Sequence, residues 1–472
     1  MTQNTHLWLI GDLPRKPALE KASGEARSII VSANRRLHGP YSASGEVVRQ
    51  LAPTLAASSP EHLARHDVEV LAVAPELRST VVNRRATLTT TTSPQNRTRY
   101  YPRDRTTRLA QGLTELVIGA ASFEPGAFSL VVTDAEEGDG TDVEWLGILL
   151  RRLDPSLCRV VVHSRTADLP DPLGTSLRQH ATMQTLTRTS EPNGAGESAG
   201  GEDGDGQQVP DDLYLRAQSH MESECTSRIT ALREAYDSLD TAARERLHDA
   251  RAEYLEGLGR ECLRLGAIPF HRERGSDPRG AGADALLHAI EHCVLEGFYD
   301  AVIELGDRCF AVLDWATRPE DCWLVTAKVT TALTALDRAD EAEALYDRAC
   351  AATTSPSVHL QSAYGRAMLF TRFFKADRRN HAKAKAWVNT AISISSLLPD
   401  DQRRAFNLTF NENGLALVEM HLGDLAEARR LVEAGMARLD AETNPADHTQ
   451  HRAVLAYNLA QLLAVMGPPE AA

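Results

Sequence analysis

Ala301, Ala342, Ala384 and Ala428 recur at intervals of 41, 42 and 44 residues, each inside a stretch with helical periodicity. An apolar or aromatic residue follows each of them four positions on: Leu305, Tyr346, Val388 and Val432. A small residue follows seven positions on in three cases: Ala349, Ala391 and Gly435. Positions i, i+4 and i+7 share one face of a helix, and small side chains there let a second helix approach closely. Another apolar helical stretch precedes the later anchors, at 322–336, 358–374 and 405–422, and a last one covers 451–466. One such hairpin cannot bury its own apolar face, so several must stack. The pattern predicts an all-α superhelix over residues 211–472, a region with no strand-like segment.

The N-terminal part reads differently. Short Val/Ile/Leu-rich runs at 6–10, 28–32, 68–73, 128–133 and 159–163 predict strands. Helical patterns at 45–57, 106–120 and 141–153 lie between them. Alternation of this kind implies a largely parallel α/β sheet. The boundary is the stretch 190–210, with six Gly, five acidic residues and no Lys or Arg. Such a composition buries too little apolar surface to offset its ordering entropy. Three segments are therefore expected: an α/β domain at 1–189, a disordered acidic Gly-rich linker at 190–210, and the helical-repeat domain at 211–472.

Charge follows the same division. Residues 1–189 hold 22 Lys+Arg and 20 Asp+Glu, whereas the whole chain carries −14. An acidic chain of this kind argues against a general nucleic-acid or anionic-membrane binder. No apolar run approaches the length of a membrane span, and residues 1–10 lack the basic start and long apolar run of a signal peptide. The seven Cys are an odd number and include no C-x-x-C, which predicts free thiols, a cytoplasmic location and no cysteine zinc site.

The segments Gly423-Asp424-Leu425-Ala426-Glu427-Ala428-Arg429-Arg430-Leu431 and Arg338-Ala339-Asp340-Glu341-Ala342-Glu343-Ala344-Leu345-Tyr346 resemble the second half of a tetratricopeptide (TPR) motif. The repeat is longer than the usual 34 residues, similar to the variant TPR arms of large bacterial STAND-type ATPases. The resemblance covers roughly residues 240–472. It implies a curved surface that binds a protein or peptide. By that analogy the first helices line the groove, with Tyr299, Trp323, Lys328, Tyr364, Arg366, Asn407, Asn411, Asn413 and Asn458 as recognition residues. The bland alternative is that the Asn side chains satisfy neighbouring helix ends. Ala472 stands 44 residues after Ala428, where a fifth anchor belongs. The last helix is then unpaired and open to a partner or a second copy, or it packs back on its neighbour.

The apolar run 128–133 ends in Asp134 and continues through Ala135-Glu136-Glu137-Gly138-Asp139-Gly140-Thr141-Asp142 into a helix, then the run 159–163 and Arg165. This layout resembles the Walker B to sensor segment of STAND-type P-loop ATPases, with Thr133 in the place of the first acid. A hydroxyl cannot supply the same charge to Mg²⁺. The phosphate-loop candidate is Gly39-Pro40-Tyr41-Ser42-Ala43-Ser44-Gly45-Glu46-Val47. A working loop reads G-x-x-x-x-G-K-[ST], because Lys neutralises phosphates and the hydroxyl holds the metal. Here Glu46 replaces Lys and Val47 replaces Ser/Thr. The resemblance thus implies a degenerate, P-loop-like domain without turnover. Gly39, Gly45, Asp134 and Arg165 are its nucleotide-binding candidates, and Asp134 and Arg165 its catalytic pair should ATP and Mg²⁺ act here. An unrelated α/β domain with a Gly turn is the competing reading.

Two other constellations carry chemistry in principle. Arg84, Arg85, Arg97, Arg99, Arg103, Arg105 and Arg108 surround Tyr100 and Tyr101, a composition that can hold phosphates and stack bases, or a solvated basic loop. His288-Ala289-Ile290-Glu291-His292 matches H-x-x-E-H, but Leu286, Leu287, Ile290 and Val294 already make that helix a packing element. No G-x-S-x-G occurs, and Cys158 reads as core. The sequence therefore points first to a non-enzymatic regulatory scaffold with no cofactor and no metal. A STAND-like ATP-dependent switch comes second and a nucleic-acid-associated regulator third.

Overall fold

The computed structural model describes residues 5–12, 16–23, 27–81, 85, 102–123, 125–186, 212–443 and 448–467. The chain forms two compact units, Met1–Val312 and Leu313–Ala472. The acidic stretch 190–210 lies outside the described residues, as does Ala472. The first unit therefore holds the sheet together with the helices up to Val312.

Five strands form one parallel sheet: β1 (His6–Ile10), β2 (Arg27–Ser32), β3 (Phe128–Thr133), β4 (Val160–Ser164) and β5 (Ala181–Thr185), in the order β2-β3-β4-β1-β5. Register pairs Leu7 with Val161, Trp8 with Met183, and Leu130 with Val160. Both central strands are buried along their whole length, which is why β3 and β4 read as continuous apolar runs. Helix α1 (Lys16–Ser23) covers one face, its Leu19 packing on Leu7, Leu9, Val131 and Val161.

The remaining helices of this unit are α2 (Arg35–His38), α3 (Ser42–Ser58), α4 (Pro60–Arg65), α5 (Asp67–Val73), α6 (Pro102–Phe123), α7 (Gly140–Arg152), α8 (Leu173–His180), α9 (Leu213–Glu222), α10 (Thr230–Asp237), α11 (Thr241–Gly257), α12 (Ala267–Arg272), α13 (Ala283–Glu296) and α14 (Tyr299–Val312). Two strand assignments need correction. The run 68–73 is helix α5, and its buried residues Asp67, Val70 and Val73 fall three apart, a helical period that a short apolar run hides. Strand β5 escaped notice because it is an edge strand with four exposed residues and no apolar run.

The second unit contains α15 (Pro319–Ala335), α16 (Ala339–Ala352), α17 (Pro356–Met368), α18 (His381–Ser396), α19 (Asp401–Leu422), α20 (Leu425–Glu442) and α21 (Thr449–Met466). Consecutive helices pack as hairpins: α15 with α16, α17 with α18, α19 with α20. The anchors Ala342, Ala384 and Ala428 are fully buried, as are Val388 and Val432 four residues on. The close approach they permit is visible at two glycines. A side chain at Gly365 would overlap the Tyr346 ring, and one at Gly414 would lie 2.6 Å from the Tyr364 ring. Helix α21 packs through Leu455 and Leu462, while Val454, Tyr457, Leu463 and Val465 are exposed. No described helix is long and apolar enough to cross a membrane.

Candidate functional site

In an open parallel sheet, ligands bind outside the carboxyl ends of the strands. Two groups of residues converge there. The first centres on the N-termini of α3 and α7. Asp139 caps α7, its Oδ1 accepting from the Thr141 and Asp142 amides and from the Thr141 hydroxyl. The Thr141 hydroxyl accepts from the Tyr41 amide at 2.8 Å. Asp142, one turn into α7, reaches the start of α3. Its carboxylate accepts from the Ala43 amide at 2.7 Å, the Ser44 amide at 3.0 Å and the Ser44 hydroxyl at 2.8 Å. Burial, and then the charge of Asp139, push the Asp142 carboxyl up to about 7. Burial also raises Asp139.

This staple decides what the segment 39–47 does. A helix N-terminus is an anion site because its first amides are unpaired. At α3 those amides are occupied by the protein's own carboxylate. Gly39 has φ +72°, and a Cβ there would lie 2.6 Å from the Leu265 carbonyl oxygen, so close approach of chain segments explains this glycine. Gly45 sits inside α3, buried, near the Val73 carbonyl. Glu46 faces Arg49 and Arg260, each at 3.6 Å. The segment also follows β2. Strand β1 leads leftward to β2 and β4 leads rightward over β1 to β5, so the switch point of this sheet lies between the ends of β1 and β4. A strand–loop–helix phosphate cradle at that point would fall on the segment between Gly11 and α1. The sequence there, Gly11-Asp12-Leu13-Pro14-Arg15-Lys16-Pro17, lacks the second Gly and the hydroxyl residue.

The second group lies at the ends of β3 and β4. Asp134 has φ 57° and accepts from the Ser32 hydroxyl at 2.7 Å and the Thr133 hydroxyl at 2.9 Å. Its other oxygen pairs with Arg228. Arg228 also reaches Glu136 at 3.3 Å, and Arg165 pairs with Glu136 at 2.7 Å and Glu137 at 2.8 Å. The structure thus brings Asp134 and Arg165 into one network through Glu136, away from Gly39 and Gly45 in the chain of contacts. Asp134 is already neutralised by a guanidinium and two hydroxyls. Among the described residues no group of three His, Cys, Asp or Glu side chains could hold a metal ion. Arg228 carried no sequence signal, since it lies beyond the 190–210 stretch. Asp142 carried one, an acid three residues after a helix-capping Asp.

Beside these groups, a cavity of about 210 Å³ opens among α2, the end of β3, α12 and α14. Its lining holds the acids Glu137, Asp139, Glu273, Asp300 and Glu304 and the arginines Arg35, Arg36, Arg274 and Arg308, with Glu273 pairing with both Arg274 and Arg308. The Arg36 and Arg274 guanidiniums lie 4.3 and 4.0 Å from the centre of the Phe270 ring.

The other sequence candidates are placed as follows. Tyr299 is 6% exposed and Asn411 fully buried, its amide donating to the Ser395 hydroxyl and the Asn407 carbonyl, which corrects their assignment to a groove surface. Asn407 donates to the Arg403 carbonyl at 2.7 Å and Asn458 to Asn413 at 2.9 Å. Trp323 donates to Gln361, and Tyr364 packs on Phe410. Arg366 lies over Trp387 and pairs with Asp347 at 2.7 Å. Lys328 is half-buried on α15. Of the arginine cluster, Arg85 pairs with Asp67 and Glu69 and Arg105 with Glu296. The side chains of Arg84, Arg97, Arg99 and Arg103, and Tyr100 and Tyr101, lie outside the described residues. His288 and His292 both face Glu261, at 3.3 and 3.6 Å. All seven Cys are free thiols.

No family model and no curated protein matches this sequence. Among solved structures, a STAND protein with a tetratricopeptide repeat sensor from Pyrococcus horikoshii is similar with a TM-score of 0.32 and 9% identity, over 98% of this chain and 78% of that one. Likeness at that level says nothing of activity. The class defined here is a parallel α/β domain followed by a stacked helical-hairpin array, on this chain's own sheet order and buried anchors.

Proposed function

We propose that the chain is a non-enzymatic regulatory scaffold that binds a protein or peptide through its helical-hairpin array. The observation that carries this reading is the segment 11–17 at the switch point of the sheet, which lacks the second Gly and the hydroxyl residue of a phosphate loop, while at 39–47 the Asp142 carboxylate takes the α3 amides. The neutralised Asp134 supports it from the other side of the site. With catalysis disfavoured in the α/β part, the array remains as the functional surface. Trp323, Lys328, Tyr364, Arg366, Asn407, Asn413 and Asn458 are its half-buried polar and aromatic positions. Aromatic and Arg side chains of this kind are the usual anchors of interfaces. The role needs no cofactor, and its setting is the cytoplasm.

The test is an affinity capture with the full chain, alongside Trp323→Ala and Arg366→Ala. The reading expects one protein retained by the wild type, and at least tenfold less retained by each variant while circular dichroism stays unchanged. Capture insensitive to both variants would refute it. A STAND-like switch remains the second reading, favoured by Arg228, which links Asp134 to the same Glu136 that Arg165 pairs with.

A further inference from the structure

The cavity beside α14 contains two buried polar atoms that nothing in the protein satisfies. Asp139 is 6% exposed, and its Oδ2 has no hydrogen-bond partner, although Oδ1 is fully engaged in capping α7. Arg308 directs Nε to Glu273 at 3.0 Å and Nη1 to Glu304 at 3.3 Å, yet its buried Nη2 has no partner. Both residues line the same cavity. An unsatisfied buried carboxylate oxygen or guanidinium forfeits its water hydrogen bonds with no replacement, so native proteins rarely keep either without a reason.

The two unsatisfied atoms, of opposite charge, mark the two ends of the cavity along α14. Asp300, Ala301, Glu304, Leu305 and Arg308 line it from that helix, a single face two turns long. Asp300 sits at the Asp139 end, close enough that a Cβ at Gly140 would lie 2.9 Å from its carboxylate. Arg308 sits at the other end, with Arg36 and Arg274 over Phe270; Glu273 and Glu304 also line this end and pair with Arg308, leaving its Nη2 and the Arg36 guanidinium to meet a ligand. Arg35 and Arg36 form no ion pair with a described carboxylate. Eight residues of helix place the two ends about 12 Å apart at 1.5 Å per residue.

We infer that this cavity is a binding site for a small extended zwitterion, with its amine at Asp139 and Asp300 and its carboxylate at Arg308 and Arg36. The length sets the class. An extended residue spans about 3.3–3.6 Å, so a tripeptide-sized zwitterion reaches about 10 Å and bridges both ends, whereas a free α-amino acid reaches only one. The volume of about 210 Å³ suits a slender ligand rather than a drug-sized one. This site is independent of the partner surface on the hairpin array.

The experiment is isothermal titration of the full chain with glycine, diglycine and triglycine, and with triglycine acetylated at its amine or amidated at its carboxylate. Triglycine is expected to bind at least tenfold tighter than glycine, and each blocked form at least tenfold weaker than triglycine. Arg308→Gln is expected to lose triglycine binding with its thermal midpoint within a few degrees of wild type. No heat from triglycine at about 10 mM, a concentration that fills most of any site with a Kd of about 1 mM, overturns the proposal. So does binding that survives either blocked end. The comparison of free and blocked ligands on the unaltered chain holds even if the variant fails to fold.

Discussion

Replacing Asp142 by Asn tests the staple between α7 and α3 through its pH dependence. The Asp142 carboxyl is raised from its ordinary value of 3.8 to about 7, first by burial and then by the Asp139 charge. The folded chain therefore holds this proton more tightly than the unfolded chain does. Between these two values the unfolded state is ionised while the folded state stays protonated, so stability falls as pH rises from about 4 to about 7. Integrating the linkage relation from pH 5 to pH 8 gives a loss of about 2.5 kcal/mol from this one group. Asn keeps an oxygen for one of the Ala43 and Ser44 amides and sets its NH2 against the other, a cost that does not vary with pH, and it carries no titrating proton. The difference in unfolding free energy, wild type minus Asp142→Asn, should thus decline by about 2.5 kcal/mol between pH 5 and pH 8. Urea unfolding measures it, followed by the fluorescence of the buried Trp8 and Trp145 with Trp315, Trp323 and Trp387 changed to Phe. Parallel pH profiles for the two proteins would refute the argument, because they would mean that the carboxylate is ionised in the fold at no cost.

Three further outcomes are expected. His248 is fully buried, linked through Nε2 to the Tyr236 hydroxyl at 2.9 Å and through Nδ1 to His271 at 2.8 Å, and burial lowers it to about 3. A depressed imidazole contributes stability above about pH 6.5 that is lost on acidification, so wild type should lose about 2 kcal/mol relative to His248→Gln between pH 7 and pH 5 by urea unfolding. Gly414→Val places methyl groups against the Tyr364 ring and should cost about 1–3 kcal/mol, read as a lower midpoint of the helical array in thermal unfolding. Asn411→Ala leaves the buried Ser395 hydroxyl without the Asn411 amide and should cost about 1–3 kcal/mol in the same assay; a change below ~0.5 kcal/mol would show that the pair is not buried as described.

The parts of the fold written in local pattern were legible in the sequence. Four strands are apolar runs, and the hairpin anchors Ala342, Ala384 and Ala428 are buried where their spacing demands. What escaped was set by tertiary contact. Strand β5 is polar because only one of its edges meets the sheet. Helix α5 is short enough that its apolar run reads equally as strand. The candidate site was half legible. Asp134 and Arg165 share one network through Glu136, but Arg228, which pairs with Asp134 and completes that link, comes from 94 residues away. The cavity gathers residues near 36, 139, 270 and 308, and no local pattern links such distant segments. The segment 39–47 drew notice for its glycines, yet Gly39 answers to the Leu265 carbonyl and the α3 amides answer to Asp142.

The central claim is that this α/β domain does not turn over nucleotide and that binding is the chain's work. A steady-state phosphate-release assay on the full chain with Mg-ATP, beside Asp134→Ala, tests it most directly. The account predicts identical release from both proteins, at the level of buffer. Magnesium-dependent release by wild type that disappears in Asp134→Ala would contradict it.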